Sequence, residues 1–314
     1  VYKRELGRSR LTVSPLCLGG NVFGWTADRT ASFKILDAYV ALGFNFIDTA
    51  DVYSRFVPGN VGGESENLIG EWLAQRGARD KVIIATKVGM EMGPGEQGLS
   101  RSYITRAVDA SLKRLKTDFI DLYQAHIDDA GTPFEETLSA FGLLIDAGKV
   151  RAIGASNYSA PRLRQALQVS REQGLPRFES LQPHFNLYES ETFMRELAPL
   201  CREQELGVLS YFSLASGFLT GKYRCEQDLV GKARDSFVKD MLNPRGLRIL
   251  QALDAVAEET SATPAQISLA WLLARGVTAP IVSATSVRQL EELAAAATLK
   301  LHADALRMLD EASL

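Results

Sequence analysis

Eight short apolar or β-branched runs recur along the chain, and longer stretches of helical period separate most of them. The runs are PLCLGG (15–20), FNFIDTA (44–50), KVIIATKVG (81–89), FIDLYQAHI (119–127), VRAIGASN (150–157), FESLQPHFN (178–186), GVLSYFSL (207–214) and APIVSA (279–284). Strand followed by helix, repeated, implies parallel strands, because a parallel neighbour is reached only by a crossover, and the crossover helix covers a face of the sheet. RSYITRAVDASLKRLKT is the clearest helix: Ile104, Val108, Leu112 and Leu115 share one face while Arg106, Asp109 and Lys113 turn away. Glycine closes several of these stretches, as in ALGF, DAGKV, EQGL and ARGV, where a left-handed cap costs it little. Eight such units in 314 residues fit a (β/α)8 TIM barrel better than an open doubly wound sheet, which is the alternative. No Pro/Ser-rich linker divides the chain, so residues 1–314 are read as a single domain. Two additions flank the repeat: YKRELGRSRLTV, read as a β-hairpin turning at Gly7-Arg8-Ser9, and an extra C-terminal helix in HADALRMLDEA. The polar stretch 221–245 lacks periodicity and reads as a long loop after the seventh strand.

Composition narrows the function classes. Hydrophobic residues at 46% and charged residues at 23% suit a protein with a sizeable core. A formal net charge of −3 without a basic run excludes a phosphate-backbone binder, so nucleic acid is not an expected partner. Cys17, Cys201 and Cys225 are far apart and form no CxxC pair, which argues against both a disulfide framework and a zinc site and for a reducing cytoplasm. The opening residues carry charge with no apolar run behind them, and the longest apolar stretch, 267–274, is too short for a bilayer, so neither a secretory leader nor a membrane span is expected.

In a barrel the chemistry gathers where strands end. Run two ends in Asp48 and leads to Tyr53, run three ends at Lys87, and run four ends at His126. A lysine inside a strand calls for a carboxylate, and Asp48 on the neighbouring strand is the obvious one. Taken singly, each residue has a plain structural reading: Asp48–Lys87 as a buried ion pair, His126 as a core histidine, Tyr53 as a loop aromatic. Together they suit carbonyl reduction or alcohol oxidation. A buried ammonium favours the phenolate and should pull the Tyr53 pKa down, making it a general acid or base, and an imidazole can polarise a carbonyl or relay a proton. Asp51 is read as shaping the turn that presents Tyr53. His184 and His302 have no ligand-spaced partner, so no metal is expected. Ser210, Ser213 and Ser216 lack a nucleophile elbow, which leaves hydrolysis unsupported.

The motifs RELGRSRLTVSPLCLGG, FNFIDTADVY, GESENLIGEWL, ATKVG, LYQAHI, GASNY, GFLTGKY and IVSATSVRQLEEL occur in that order, and with them the chain resembles the aldo-keto reductase family over nearly its whole length. The resemblance implies the same barrel. It also implies Tyr53 as proton donor, Lys87 lowering its pKa, Asp48 orienting Lys87, and His126 positioning the carbonyl. A hydride donor is implied too, and no GxGxxG follows the first strand, so Rossmann binding is disfavoured. The family instead holds an extended nicotinamide dinucleotide across the barrel mouth. By that resemblance Ser156, Asn157 and Gln182 would bind the carboxamide and Tyr211 would stack on the nicotinamide. Ser213, Leu214, Gly217 and Lys222 would lie along the pyrophosphate, with Arg288 and Gln289 at the adenosine end. NADP(H) is the family default and NAD(H) the alternative, because Leu293 and Ser286 stand where the family commonly has Asn and a basic residue. Tyr211-Phe212-Ser213-Leu214 likewise departs from the usual Tyr-Ser-Pro-Leu. Trp25, Phe56 and Val57 are candidate pocket walls for a small carbonyl or alcohol substrate, and Asp128 or Asp129 is a candidate polar contact. Two other readings stay open: a cofactor-binding regulatory subunit resembling potassium-channel β subunits, and a lyase using Lys87 as a Schiff base. Substrate and oligomeric state are not specified by the sequence.

Overall fold

The computed structural model describes residues 1–231 and 235–314. Strands β1 (Arg4–Glu5) and β2 (Thr12–Val13) pair antiparallel as the expected hairpin. The barrel strands are β3 (Cys17–Gly19), β4 (Phe46–Asp48), β5 (Ile83–Val88), β6 (Ile120–Ala125), β7 (Val150–Ser156), β8 (Phe178–Gln182), β9 (Gly207–Val208) and β10 (Ile281–Val282). All eight runs read from the sequence contain a strand, shorter than its run, because each run continues into the loop at the barrel mouth. Helices α1 (Arg29–Ala41), α2 (Glu64–Arg76), α3 (Arg101–Leu115), α4 (Phe134–Asp146), α5 (Ala160–Gln173) and α6 (Ala198–Glu203) alternate with the strands. After β9 come α7 (Asp235–Val238), α8 (Pro244–Thr260) and α9 (Pro264–Ala274), and after β10 come α10 (Val287–Ala294) and α11 (Ala303–Ser313).

The sheet runs β10-β3-β4-β5-β6-β7-β8-β9, all parallel, with no reversal of order. Its two ends meet: Ile281 N–H donates to the Ser210 carbonyl at 2.9 Å and Thr278 N–H to that of Val208 at 2.8 Å. This closure decides for the (β/α)8 TIM barrel over the open sheet.

Strand periodicity sorts the core into an outside and an inside. Ile84 and Val88 of β5 face outward and pack with helix residues such as Ile104 and Val108 of α3. Cys17, Phe46, Ala85, Leu122, Ala152, Leu209 and Ala279 face inward as a separate apolar cluster, closed from below by Leu6, Leu11 and Val13 of the hairpin. Gly7 makes that docking possible: at φ 57° its missing Cβ would stand 2.1 Å from the Glu179 carbonyl oxygen. On α3, Leu112 is only partly buried, while the rest of the expected face is buried, and Ser100 and Lys116 cap the two ends.

The stretch 221–245 is not one irregular loop. It holds short helical turns at Glu226–Leu229 and Lys239–Met241 as well as α7, and α8 already begins at Pro244 behind the Asn243 cap. Turns this short carry no amphipathic period, which hid them from a pattern reading. Positions 232–234 lie outside the described residues.

Candidate active site

The C-terminal ends of β4, β5 and β6 bring the four titratable residues to one rim. Asp48 ends β4, Lys87 is the last residue but one of β5, and both are fully buried. His126 follows β6 and is buried, while Tyr53, in the loop after β4, is half-buried. Lys87 Nζ donates to Asp48 Oδ2 at 2.6 Å, to the Thr49 carbonyl at 2.8 Å and to the Tyr53 hydroxyl at 2.8 Å, which uses all three ammonium hydrogens. The Tyr53 hydroxyl donates to Asp48 Oδ2 at 3.4 Å. The His126 ring stands edge-on to Tyr53, centroids 6.1 Å apart, and its Nδ1 is a buried polar atom with no hydrogen-bond partner among the described residues.

The electrostatics correct one expectation. The Tyr53 pKa is not lowered but pushed up to about 12: burial outweighs the pull of Lys87, and Asp48 beside the hydroxyl adds to the burial. At neutral pH the group is therefore a phenol with a proton to give. Burial works against the Lys87 ammonium, yet Asp48 and Tyr53 overcome it and hold its pKa above the ordinary value. Protonated and fully hydrogen-bonded, Lys87 is not free to form a Schiff base. Burial first, and then Lys87, push His126 well below its usual pKa, so it is a neutral imidazole.

The residues expected to hold a cofactor converge on the neighbouring strand ends. Ser156 Oγ donates to the Gln182 carbonyl at 3.0 Å. Asn157 donates to the His126 carbonyl at 2.9 Å and accepts from the Tyr211 hydroxyl at 2.7 Å, so it ties three candidate residues together. His184 stacks on the Tyr211 ring at 5.2 Å and 17°. Gln182 turns its Nε2 into the barrel, toward Asp48 Oδ1 at 3.0 Å and Gln124 Oε1 at 3.1 Å. Beyond Tyr211, Ala215, Ser216 and Gly217 take positive φ in succession (46°, 56° and 96°); the N–H groups of Ala215 and Gly217 are spent on the carbonyls of Phe212 and Leu214, and exposed Lys222 reaches over Gly217. The side chains of Ser213 and Leu214 do not point there: the Ser213 hydroxyl is buried against the Ser210 carbonyl at 2.9 Å, and Leu214 packs on the core. Only their backbone is available to a ligand, because a buried hydroxyl takes the nearest acceptor. Arg288 is exposed on the first turn of α10 with no partner among the described residues. Gln289 Oε1 is taken by the N–H and hydroxyl of Thr285, so only its amide nitrogen could serve a ligand.

Among the candidate pocket walls, Trp25 and Phe56 meet edge to face at 5.0 Å, and Val57 is half-buried in the same loop as Tyr53. Asp128 and Asp129 are corrected. Arg162 grips both oxygens of Asp128 (2.6 and 2.8 Å) while its guanidinium lies over the Phe134 ring. Asp129 accepts from Leu99 N–H, Gly131 N–H and the Thr132 hydroxyl. Both are structural pins of their loops. Asp51 is buried, and among the described residues its oxygens find no partner beyond the neighbouring Val52 N–H.

Two features escaped the sequence reading. Gln124, fully buried, donates to Asp48 Oδ1 at 3.1 Å. Its signal was available: an amide at an inward-facing strand position, two residues beyond Leu122. Phe212 holds φ 50°, which is rare for a bulky residue, with its carbonyl accepting from Asn186 at 2.9 Å and its ring edge-on to Tyr211.

A sequence model of the Aldo/keto reductase family matches residues 15–314. The chain belongs to the aldo/keto reductase family. Among its relatives is the uncharacterized oxidoreductase YrpG of Bacillus subtilis, 36% identical over 98% of this chain and 94% of that one. The aldo-keto reductase yakc [NADP(+)] of Schizosaccharomyces pombe is 33% identical over 94% and 86%. A probable voltage-gated potassium channel subunit beta of Arabidopsis thaliana is 32% identical over 92% and 89%. Among the described residues of this chain no helix is long and apolar enough to cross a membrane.

Proposed function

We propose that this aldo/keto reductase family member is an NAD(P)(H)-dependent oxidoreductase interconverting a small aldehyde or ketone and its alcohol, with Tyr53 as the proton-transferring group. The observation that carries this is the Lys87 ammonium, 2.6 Å from Asp48 and 2.8 Å from the Tyr53 hydroxyl, behind a phenol that is protonated at neutral pH. Bound nicotinamide cofactor would supply or accept the hydride. Tyr53 gives its proton to the carbonyl oxygen as negative charge develops there, and the phenolate left behind is stabilised by Lys87. Asp48 keeps Lys87 charged and aimed. Neutral His126 offers a hydrogen bond to the same carbonyl oxygen without competing for the proton.

The residues present fit the cofactor: an aromatic ring at Tyr211, the polar corner of Ser156, Asn157 and Gln182, and the exposed Lys222 ammonium above the glycine turn at Gly217. NADP(H) is the preferred form, with Arg288 as the free cation for an extra phosphate, and one relative carries NADP(+) in its name. Trp25, Phe56 and Val57 favour an apolar substituent on the carbonyl. Replacing Tyr53 by Phe should leave NADPH binding, followed by fluorescence quenching, nearly intact and slow turnover about 10²–10⁴-fold; full activity in the variant would sink the assignment. The kinship to potassium-channel β subunits favours a second reading, a cofactor-binding partner subunit. Stopped-flow mixing of the NADPH complex with a panel of aldehydes separates the two: cofactor bound without oxidation by any carbonyl would select the subunit.

A further inference from the structure

The oxygen of Asp48 that faces away from Lys87 is as closely held as the one that faces it. Oδ2 receives Lys87 and Tyr53, whereas Oδ1 receives the amide of Gln124 at 3.1 Å and that of Gln182 at 3.0 Å. The two amides are also joined, Gln182 Nε2 donating to Gln124 Oε1 at 3.1 Å. A carboxylate only accepts, so the Gln124 amide must turn its nitrogen to Asp48 and its oxygen to Gln182. Space for it is built in. Lys87, Gln124 and Gly154 are register partners on β5, β6 and β7, and a Cβ on Gly154 would stand 2.4 Å from Ser180 Oγ and 3.1 Å from Gln124 Cγ.

We propose that Gln124 is a positioning residue for the proton donor: with Gln182 it takes up part of the negative charge of the Asp48 carboxylate and fixes its orientation, so that Lys87 keeps the charge that stabilises the Tyr53 phenolate. The proposal rests on the carbonyl chemistry assigned above. A carboxylate and an ammonium buried together can exchange a proton and become a neutral pair, and hydrogen bonds to the charged carboxylate oppose that exchange. Without the Gln124 donor, Asp48 draws more strongly on Lys87, and Tyr53 becomes a weaker acid in reduction and a base formed only at higher pH in alcohol oxidation. Gln182 belongs to both sites, since its backbone carbonyl accepts from Ser156 at the cofactor corner while its amide closes the Asp48 network.

The test is Gln124→Met, similar in shape and without a donor, in the full chain with NADPH and an aldehyde and, in reverse, NADP⁺ and the alcohol. A shift of about one pKa unit slows single-turnover reduction by at most roughly tenfold, because the rate follows only the share of proton transfer completed in the transition state. The pH profile of alcohol oxidation should move upward by the same unit and the solvent deuterium isotope effect should grow, with the dissociation constant for NADPH unchanged. Gln182→Met should show the same changes and weaker NADPH binding. If Gln124→Met does not fold, Gln124→Glu decides: its ionised form repels Asp48 and moves the profile further the same way. Folded variants with the wild-type pH profile and isotope effect would overturn the role of Gln124 while leaving Tyr53 as the acid. A wild-type protein inactive on every carbonyl and alcohol would overturn both.

Discussion

Two layers of side chains fill the barrel, built on the same strands and separated by one two-residue step. The lower layer, with Ala85, Leu122 and Ala152 as neighbours in register, is apolar and meets the hairpin residues Leu6, Leu11 and Val13. The upper layer, with Lys87, Gln124 and Gly154 as the next neighbours, is polar and equally shut off from solvent. The lower layer gains stability by removing apolar surface from water. The upper layer gives that up, and it survives because Asp48, Lys87 and the two amides satisfy one another. The difference separates what holds the molecule together from what equips it for chemistry.

The contrast breaks most severely at the ion pair. Lys87→Met should leave Asp48 charged and unpaired, costing about 3–5 kcal/mol in urea unfolding along with all turnover. Adding Asp48→Asn should return much of the stability and none of the activity; a double variant as unstable as the single one would mean that the upper layer is held by more than charge pairing. In the lower layer, Leu122→Ala should cost about 2–5 kcal/mol by opening a cavity. The folded fraction should keep the wild-type turnover rate, and a changed rate would show that the layers are coupled.

A pH-dependent effect sharpens the comparison from outside the barrel. Asp51, buried near Glu66 and Arg114, has its pKa pushed up to about 8 by burial first and by Glu66 next, against the pull of Arg114. Its native pKa lies above that of the unfolded chain, so the unfolded state releases this proton first as pH rises. Stability should therefore fall between about pH 4 and pH 8 and level off above, by no more than about 1.4 kcal/mol per pH unit. Asp51→Asn should flatten that part of the profile in thermal unfolding across pH, and an unchanged slope would assign it to another group.

Much of this was legible in the linear chain. The eight runs, the hairpin, the extra C-terminal helix and the meeting of Asp48, Tyr53, Lys87 and His126 all follow from local period and from the rule that barrel strands end at one face. The misjudged residues depend on how the folded chain buries and turns each side chain, which local period does not fix. Asp128 was read as a substrate contact because Arg162, which grips both its oxygens, lies on α5, 34 positions away. The Tyr53 pKa was read from Lys87 alone, whereas burial and the position of Asp48 set its direction. Ser213 was read outward, but the fold turns its hydroxyl to Ser210.

The sequence by itself determined the alternation of strands and helices and which residue types end each strand, since a period of two or of 3.6 is a property of neighbouring residues. Only the tertiary structure decided which of those residues touch. Contacts across the barrel interior depend on strand register and on closure between Ile281 and Ser210, which bring Gln124 and Gln182 to one oxygen of Asp48 from 76 and 134 positions away.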